Sequence, residues 1–197
     1  MVNDDRVIRI HGYLVSTWTR TACMTCLEKG GEYELVPVAY GSAEHFAMHP
    51  FGRMPVLEVG GRFIPEGLAV MGYLDETLPG PALQPADPLA RAGMRTWMSV
   101  CGDYVYRDVV RMIPRDREPA EEELATARAA LERIESMVGD GEFLVGETLT
   151  LADLYLAPQV SNCHEKAPQL LEGLPALTAW FADIQARESF VRTSYAA

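Results

Sequence analysis

Gly52-Arg53-Met54-Pro55-Val56-Leu57, running on through Gly60-Gly61 to Pro65-Glu66-Gly67, is the stretch whose reading decides the fold. Pro55 stands first in an apolar run, where a strand tolerates proline because no ladder hydrogen bond is owed there. Gly60-Gly61 suits a tight antiparallel reversal, and the acidic Glu66 then opens a helical pattern. An X-Pro bond at such a corner is also where a cis peptide is accessible. A cis bond would turn the N–H and C=O of Met54 outward, ready to pair with an extended peptide, with Glu66 placed to receive an ammonium group. The segment thus predicts a docking edge for a small peptide. The plainer alternative is an edge strand, a turn and a helix cap with no ligand.

Upstream, Val7-Ile8-Arg9-Ile10 alternates and ends at His11-Gly12, a first strand. A hydroxyl-rich turn from Tyr13 to Arg20 leads into a helix whose Ala22, Cys23, Cys26 and Leu27 share one face. Gly30-Gly31 closes that helix, and Tyr33–Val38 reads as a second strand, placed near an edge by Pro37. A short helix is expected around Ala43–Met48, then a hairpin of Val56–Val59 with Arg62–Ile64. A helix follows from Gly67 to Leu78, stopped by Pro79-Gly80-Pro81. The order βαβ–ββα is that of a thioredoxin-like α/β domain, assigned to residues 1–80.

Residues 81–88 are proline-rich and read as a linker, and residues 89–197 as an all-α domain. One long helix is predicted from Ala90 to just before Pro114, and a second after Glu118-Pro119. Thr150-Leu151-Ala152-Asp153 has the spacing of a capping box, with Leu149 and Leu154 as its hydrophobic staple. A last helix starts at Pro175 and carries Leu177, Trp180, Phe181 and Ile184 on one face.

The formal charge of −11 disfavours a nucleic-acid partner, which needs clustered Lys and Arg. No apolar run approaches the ~18–20 residues of a membrane span, and the acidic start lacks the pattern of a signal peptide. Four cysteines, spread along the chain, suit reduced thiols in a cytoplasmic protein. Cys23 and Cys26 fall inside the first helix rather than at its start, which argues for inert buried thiols over a redox pair. The histidines do not cluster, and no metal site is expected.

Taken together, the chain resembles the cytosolic glutathione transferase superfamily, with a phi-like serine pattern. Pro50-Phe51-Gly52-Arg53-Met54-Pro55 is similar to that family's Asn-Pro-Phe-Gly-(Gln/Lys)-Val-Pro segment, whose proline is cis. Glu66-Gly67-Leu68-Ala69-Val70 resembles its Glu-Ser-x-Ala-Ile, and Thr150-Leu151-Ala152-Asp153 its Ser/Thr-x-Ala-Asp box. The resemblance implies glutathione as co-substrate, a small hydrophobic electrophile as its acceptor, a homodimer and a part in detoxification. It implies that the backbone of Met54, beside Pro55, pairs with the cysteinyl part of glutathione. Glu66 and the amide of Gly67 would hold the γ-glutamyl end, and Arg53 the glycyl end.

For thiol activation, Ser16 resembles the serine of the family's Ser-x-x-Thr-Arg pattern, with Thr17 and Tyr13 as rivals. Tyr104, Tyr106, Arg107, Met112 and His164 are the residues that the resemblance brings near the electrophile. Two departures stand out. Gly67 replaces the family's serine, and the loop around His45–Met48 is shorter than in phi-type members and lacks their basic residues. These favour the alternative of a non-catalytic binding scaffold, while Ser16, Arg20, the Met54-Pro55 corner and Glu66 favour the transferase; a glutathione-dependent isomerase using the same site is a third reading.

Overall fold

The computed structural model describes residues 7–194, and its chain divides into two compact units. The first has a four-stranded sheet in the order β2-β1-β3-β4, with β1 (Ile8–His11), β2 (Tyr33–Val36), β3 (Val56–Val59) and β4 (Arg62–Pro65). β1 runs parallel to β2 and antiparallel to β3, and β3 pairs antiparallel with β4. Side chains alternate across the pleat, as they must in a strand. Ile8, Ile10 and Leu57 face a core shared with Ala22, Cys23 and Cys26 of α1 (Thr17–Glu28) and Val70 and Leu74 of α3 (Gly67–Thr77). On the opposite face Arg9 pairs with Glu34 at 2.9 Å, and His11 Nε2 lies 2.8 Å from Glu58. The short helix α2 (Ala43–Met48) has the bounds expected from sequence, and β2 is an edge strand as Pro37 required. Gly60 and Gly61 both hold positive φ, 55° and 70°, which is what a two-residue reversal needs.

Helix α1 is buried on nearly every side although many of its residues are polar. Its hydroxyls make this tolerable: Thr21 Oγ1 donates to Thr17 O at 3.0 Å, and Thr25 Oγ1 to Thr21 O at 2.8 Å. At its far end Lys29 Nζ meets Asp75 at 3.1 Å and donates to the carbonyls of Gly80 and Pro81, both at 2.8 Å. That network closes the unit where the chain leaves it.

The second unit contains α4 (Pro88–Val100), α5 (Glu121–Met137), α6 (Leu151–Lys166) and α7 (Pro175–Gln185). The single long helix expected up to Pro114 is instead α4 followed by a π-helical continuation over Cys101–Val110, where Arg111 N bonds Tyr106 O five residues back. Val100 and Gly102 at the junction are weak α-formers, which lowers the resistance to widening the turn. Helix α6 is its centre, buried from Leu151 to Cys163 and unbroken through Pro158. Leu177, Trp180, Phe181 and Ile184 of α7 are buried as their spacing predicted.

The assignment of residues 89–197 to one helical domain needs correction at its end. The second unit stops at Arg187, and a further helix, α8 (Glu188–Arg192), belongs to the first unit. The reason is Arg20, 2% exposed in α1. Its guanidinium stacks 4.0 Å from the Phe190 ring and donates to Phe190 O at 3.2 Å. A buried guanidinium needs such acceptors, and α8 brings them. Leu83, expected in the linker, is buried in the second unit, its carbonyl accepting from Leu151 N. Among the described residues no helix is long and apolar enough to cross a membrane.

Candidate functional site

Strand register brings three loops to one end of the sheet. His11, which ends β1, pairs with Val56, which starts β3, and Val56 in turn pairs with Pro65 at the end of β4. The chain therefore leaves β1 toward Ser16, enters β3 from Met54-Pro55 and leaves β4 into Glu66 at the same end. The amino ends of α1 and α3 both open there, and each carries a partial positive charge.

Ser16 is the N-cap of α1, and its Oγ accepts from Thr19 N at a long 3.4 Å. Since the hydroxyl is an acceptor in that contact, its proton remains available for a second partner. Its rivals fare differently. Tyr13 points its hydroxyl into the protein, donating to Val38 O at 2.6 Å. Thr17 is buried, with its Oγ1 enclosed and making no hydrogen bond. Gly12 fits against Thr19, whose Oγ1 would lie 2.5 Å from any added Cβ, so the turn leading to Ser16 depends on that glycine.

Met54-Pro55 is a cis peptide. Arg53 is exposed, and its carbonyl accepts from His45 Nε2 at 3.0 Å. Glu66, expected to begin a helix, precedes Gly67 with φ at 72° and makes no side-chain cap. The start of α3 consequently keeps its amide groups free of any cap from Glu66. Positive φ is costly for a residue with a side chain, and among the described residues Glu66 is the one non-glycine that adopts it.

Sequence reasoning missed the two histidines that brace this end of the sheet. His45 is fully buried, and its Nδ1 accepts from Gly41 N at 3.2 Å while Nε2 reaches Arg53. His49 Nδ1 accepts from Phe51 N at 3.2 Å, and its Nε2 lies 3.5 Å from Glu66 Oε1. Their spacing of four residues, which sets His45 inside α2 and His49 as its C-cap one turn on, was the available signal. A cleft of about 390 Å³ beside α2, lined by His11, Val36, Val38, His45, Met48 and Phe63, includes none of the predicted residues.

The cysteines are excluded from the chemistry. Burial pushes the Cys23 and Cys26 thiols up to about 12 each, so neither is a thiolate at neutral pH. Burial does the same to Cys163, also about 12, and raises Cys101 as well. Among the described residues no group of His, Cys, Asp or Glu is arranged to hold a metal ion. In the second unit Tyr104 is exposed, with Arg107 5.4 Å over its ring, and His164 packs on Phe181 at 5.6 Å.

The sequence model for the glutathione S-transferase N-terminal domain matches residues 10–82, and that for the C-terminal domain matches residues 97–188. A glutathione S-transferase of Hyoscyamus muticus is 30% identical over 203 residues, spanning 93% of this chain and 95% of the relative. The chain belongs to the glutathione S-transferase family. Maleylacetoacetate isomerase of Rattus norvegicus is 28% identical, over 79% of this chain and 77% of its own. Among solved structures, rice glutathione S-transferase 1 in complex with glutathione superposes with a TM-score of 0.86 at 25% identity, covering 98% of this chain and 92% of the other. The thioredoxin-like domain followed by an all-α domain is the family's fold.

Proposed function

We propose that this member of the family is a glutathione transferase that ionises the glutathione thiol at the start of α1 and joins its sulfur to a hydrophobic electrophile. One observation carries the reading: Ser16, Met54 and Glu66 emerge at one end of the sheet, beside two helix amino ends that attract negative charge. Ser16 Oγ–H donates to the sulfur, and the α1 dipole adds to that field. A free thiol ionises near ~8.5, and a donor bonded to S⁻ lowers that value by favouring the charged form. The thiol proton leaves to water, the thiolate forms the carbon–sulfur bond, and the leaving group departs with the electrons of the bond it breaks.

Around that reaction, the backbone of Met54 pairs with the cysteinyl unit, held by the geometry of Pro55. The Glu66 carboxylate receives the α-ammonium, and the Gly67 amide with the α3 amino end receives the neighbouring carboxylate. Arg53 meets the glycyl carboxylate. In this reading residues 1–80 bind glutathione and the helical domain supplies the electrophile's apolar contacts. A homodimer belongs to this reading as a further expectation. Free thiols at Cys23, Cys26, Cys101 and Cys163 support a reducing, cytoplasmic setting.

The test is calorimetric titration with glutathione, followed by turnover of an activated aryl halide. Saturable binding with halide release is expected. No binding at millimolar glutathione overturns the reading in favour of a scaffold. The likeness to the rat isomerase favours one second reading, in which the same thiolate adds to and leaves a cis double bond. Isomerisation of an unsaturated diketo acid without aryl halide turnover would select it.

A further inference from the structure

We infer that His49 is a positioning residue for Glu66, its Nε2–H aiming the carboxylate at the α-ammonium of glutathione; this rests on the glutathione reading above. The ring is held on all sides. Its side chain is 1% exposed, its Nδ1 accepts the Phe51 amide at 3.2 Å, and the Phe51 ring lies edge-on at 6.4 Å. The His49 backbone is fixed too, its N–H donating to His45 O at 2.9 Å and its carbonyl accepting from Gly52 N at 2.8 Å. Gly52 holds φ at 57°, and a Cβ there would meet the Phe46 ring at 2.8 Å, so the turn that carries His49 is tightly specified.

Chemistry then fixes the tautomer. A backbone amide only donates, so Nδ1 must present its lone pair and the ring proton sits on Nε2. Nε2 faces Glu66 Oε1 at 3.5 Å, the outer limit of hydrogen bonding. A small rotation of the Glu66 side chain, 66% exposed, closes that gap. Glu66 needs the help. It stands at positive φ, lacks a capping role and projects into solvent, where a glutamate samples many rotamers. Ordering it during binding opposes affinity, and a buried donor that pre-aims it removes that penalty. The same end of glutathione is the one that Gly67 serves without a hydroxyl.

Two replacements separate support of the turn from aim at Glu66. In His49→Asn the carboxamide oxygen can still accept the Phe51 amide but falls short of Glu66. In His49→Gln the longer side chain returns a donor near Nε2. His49→Asn is expected to raise both the Kd and the KM for glutathione roughly threefold to tenfold, with kcat within about twofold. His49→Gln recovers most of that loss, and His49→Asn adds nothing in a Glu66→Ala background.

Wild-type affinity in His49→Asn, or an equal loss in the Glu66→Ala background, overturns the inference. Wild-type affinity in Glu66→Ala instead overturns the assignment of Glu66 to glutathione. If His49→Asn does not fold, ¹⁵N-histidine spectra of the unaltered ring decide. The Nε2–H tautomer with a resonance that moves in Glu66→Gln supports the pair, and the Nδ1–H tautomer or an unmoved resonance overturns it.

Discussion

Two helix beginnings in this molecule each carry an acidic residue, and they are put to opposite use. At the start of α6, Asp153 is fully buried and accepts from Leu144 N at 2.8 Å, Thr150 N at 2.8 Å, Thr150 Oγ1 at 3.0 Å and Trp180 Nε1 at 3.0 Å. Thr150 Oγ1 in turn accepts from Ala152 N at 3.2 Å, so the end is sealed. At the start of α3, Glu66 is exposed, holds a positive φ and caps nothing. Both helices offer the same dipole and the same free amides. Where neighbours consume every donor, the carboxylate is architecture. Where donors stay open, an arriving anion can use them.

The sharpest way to break this contrast is Asp153→Ala. It strands an indole N–H and the Thr150 amide in a dry interior and frees the half-buried Leu144 amide, and stability measured by denaturant should fall by about 3–5 kcal/mol. Glutathione affinity of the molecules that remain folded should not change. Ser16→Ala tests the opposite kind of helix start. Thiol-conjugation turnover should drop about tenfold or more. The stability cost should stay under about 1 kcal/mol, because the cap it removes is long. Unchanged turnover would remove Ser16 from the chemistry.

Gly67→Ser adds a hydroxyl to the open end of α3, and glutathione should bind about fivefold tighter by calorimetry, a gain near 1 kcal/mol. An unaltered Kd would mean that the γ-glutamyl end lies elsewhere.

The smallest effect belongs to α5, whose start is capped at the surface. Ala120 has no side-chain oxygen, so the cap is Glu123 alone, which accepts Ala120 N at 2.8 Å and pairs with Arg117. Those bonds, the Arg117 one foremost, pull the Glu123 carboxyl down from 4.5 to about 2. A lowered value means that the folded state holds the proton less tightly. The contribution is therefore complete above about 4.5, and is lost as pH falls toward about 2. Carboxyl NMR titration should follow that midpoint, and Glu123→Gln should remove the corresponding pH dependence of stability.

The features that could be read from sequence are those written in neighbouring residues. Proline at a strand start, paired glycines at a reversal and Thr150 three residues before Asp153 are local codes, and each marks what the backbone does within a few positions. Ser16 over Thr17 was a choice between adjacent hydroxyls, and only the helix phase, which buries Thr17, separates them. The widened turn after Val100 left no pattern because the apolar spacing of Trp97, Cys101 and Val105 fits either helix form. His49 carries no such local code, because its partners are a backbone amide and a residue 17 positions on. Such geometry appears only when α2 and β4 are placed in space.

The clasp of Arg20 on Phe190 has a consequence for how the chain is made. The two residues stand 170 positions apart. A ribosome adding about 5–20 residues per second emits Phe190 roughly 10–30 s after Arg20. Throughout that interval the first unit has its sheet and α1 to α3 but not α8, and the Phe190 ring and carbonyl are not yet there to cover the guanidinium. The unit that leaves the tunnel first is thus completed only when α8 follows it, so nascent chains halted before α8 should be digested by protease at α1 more readily than chains that include it.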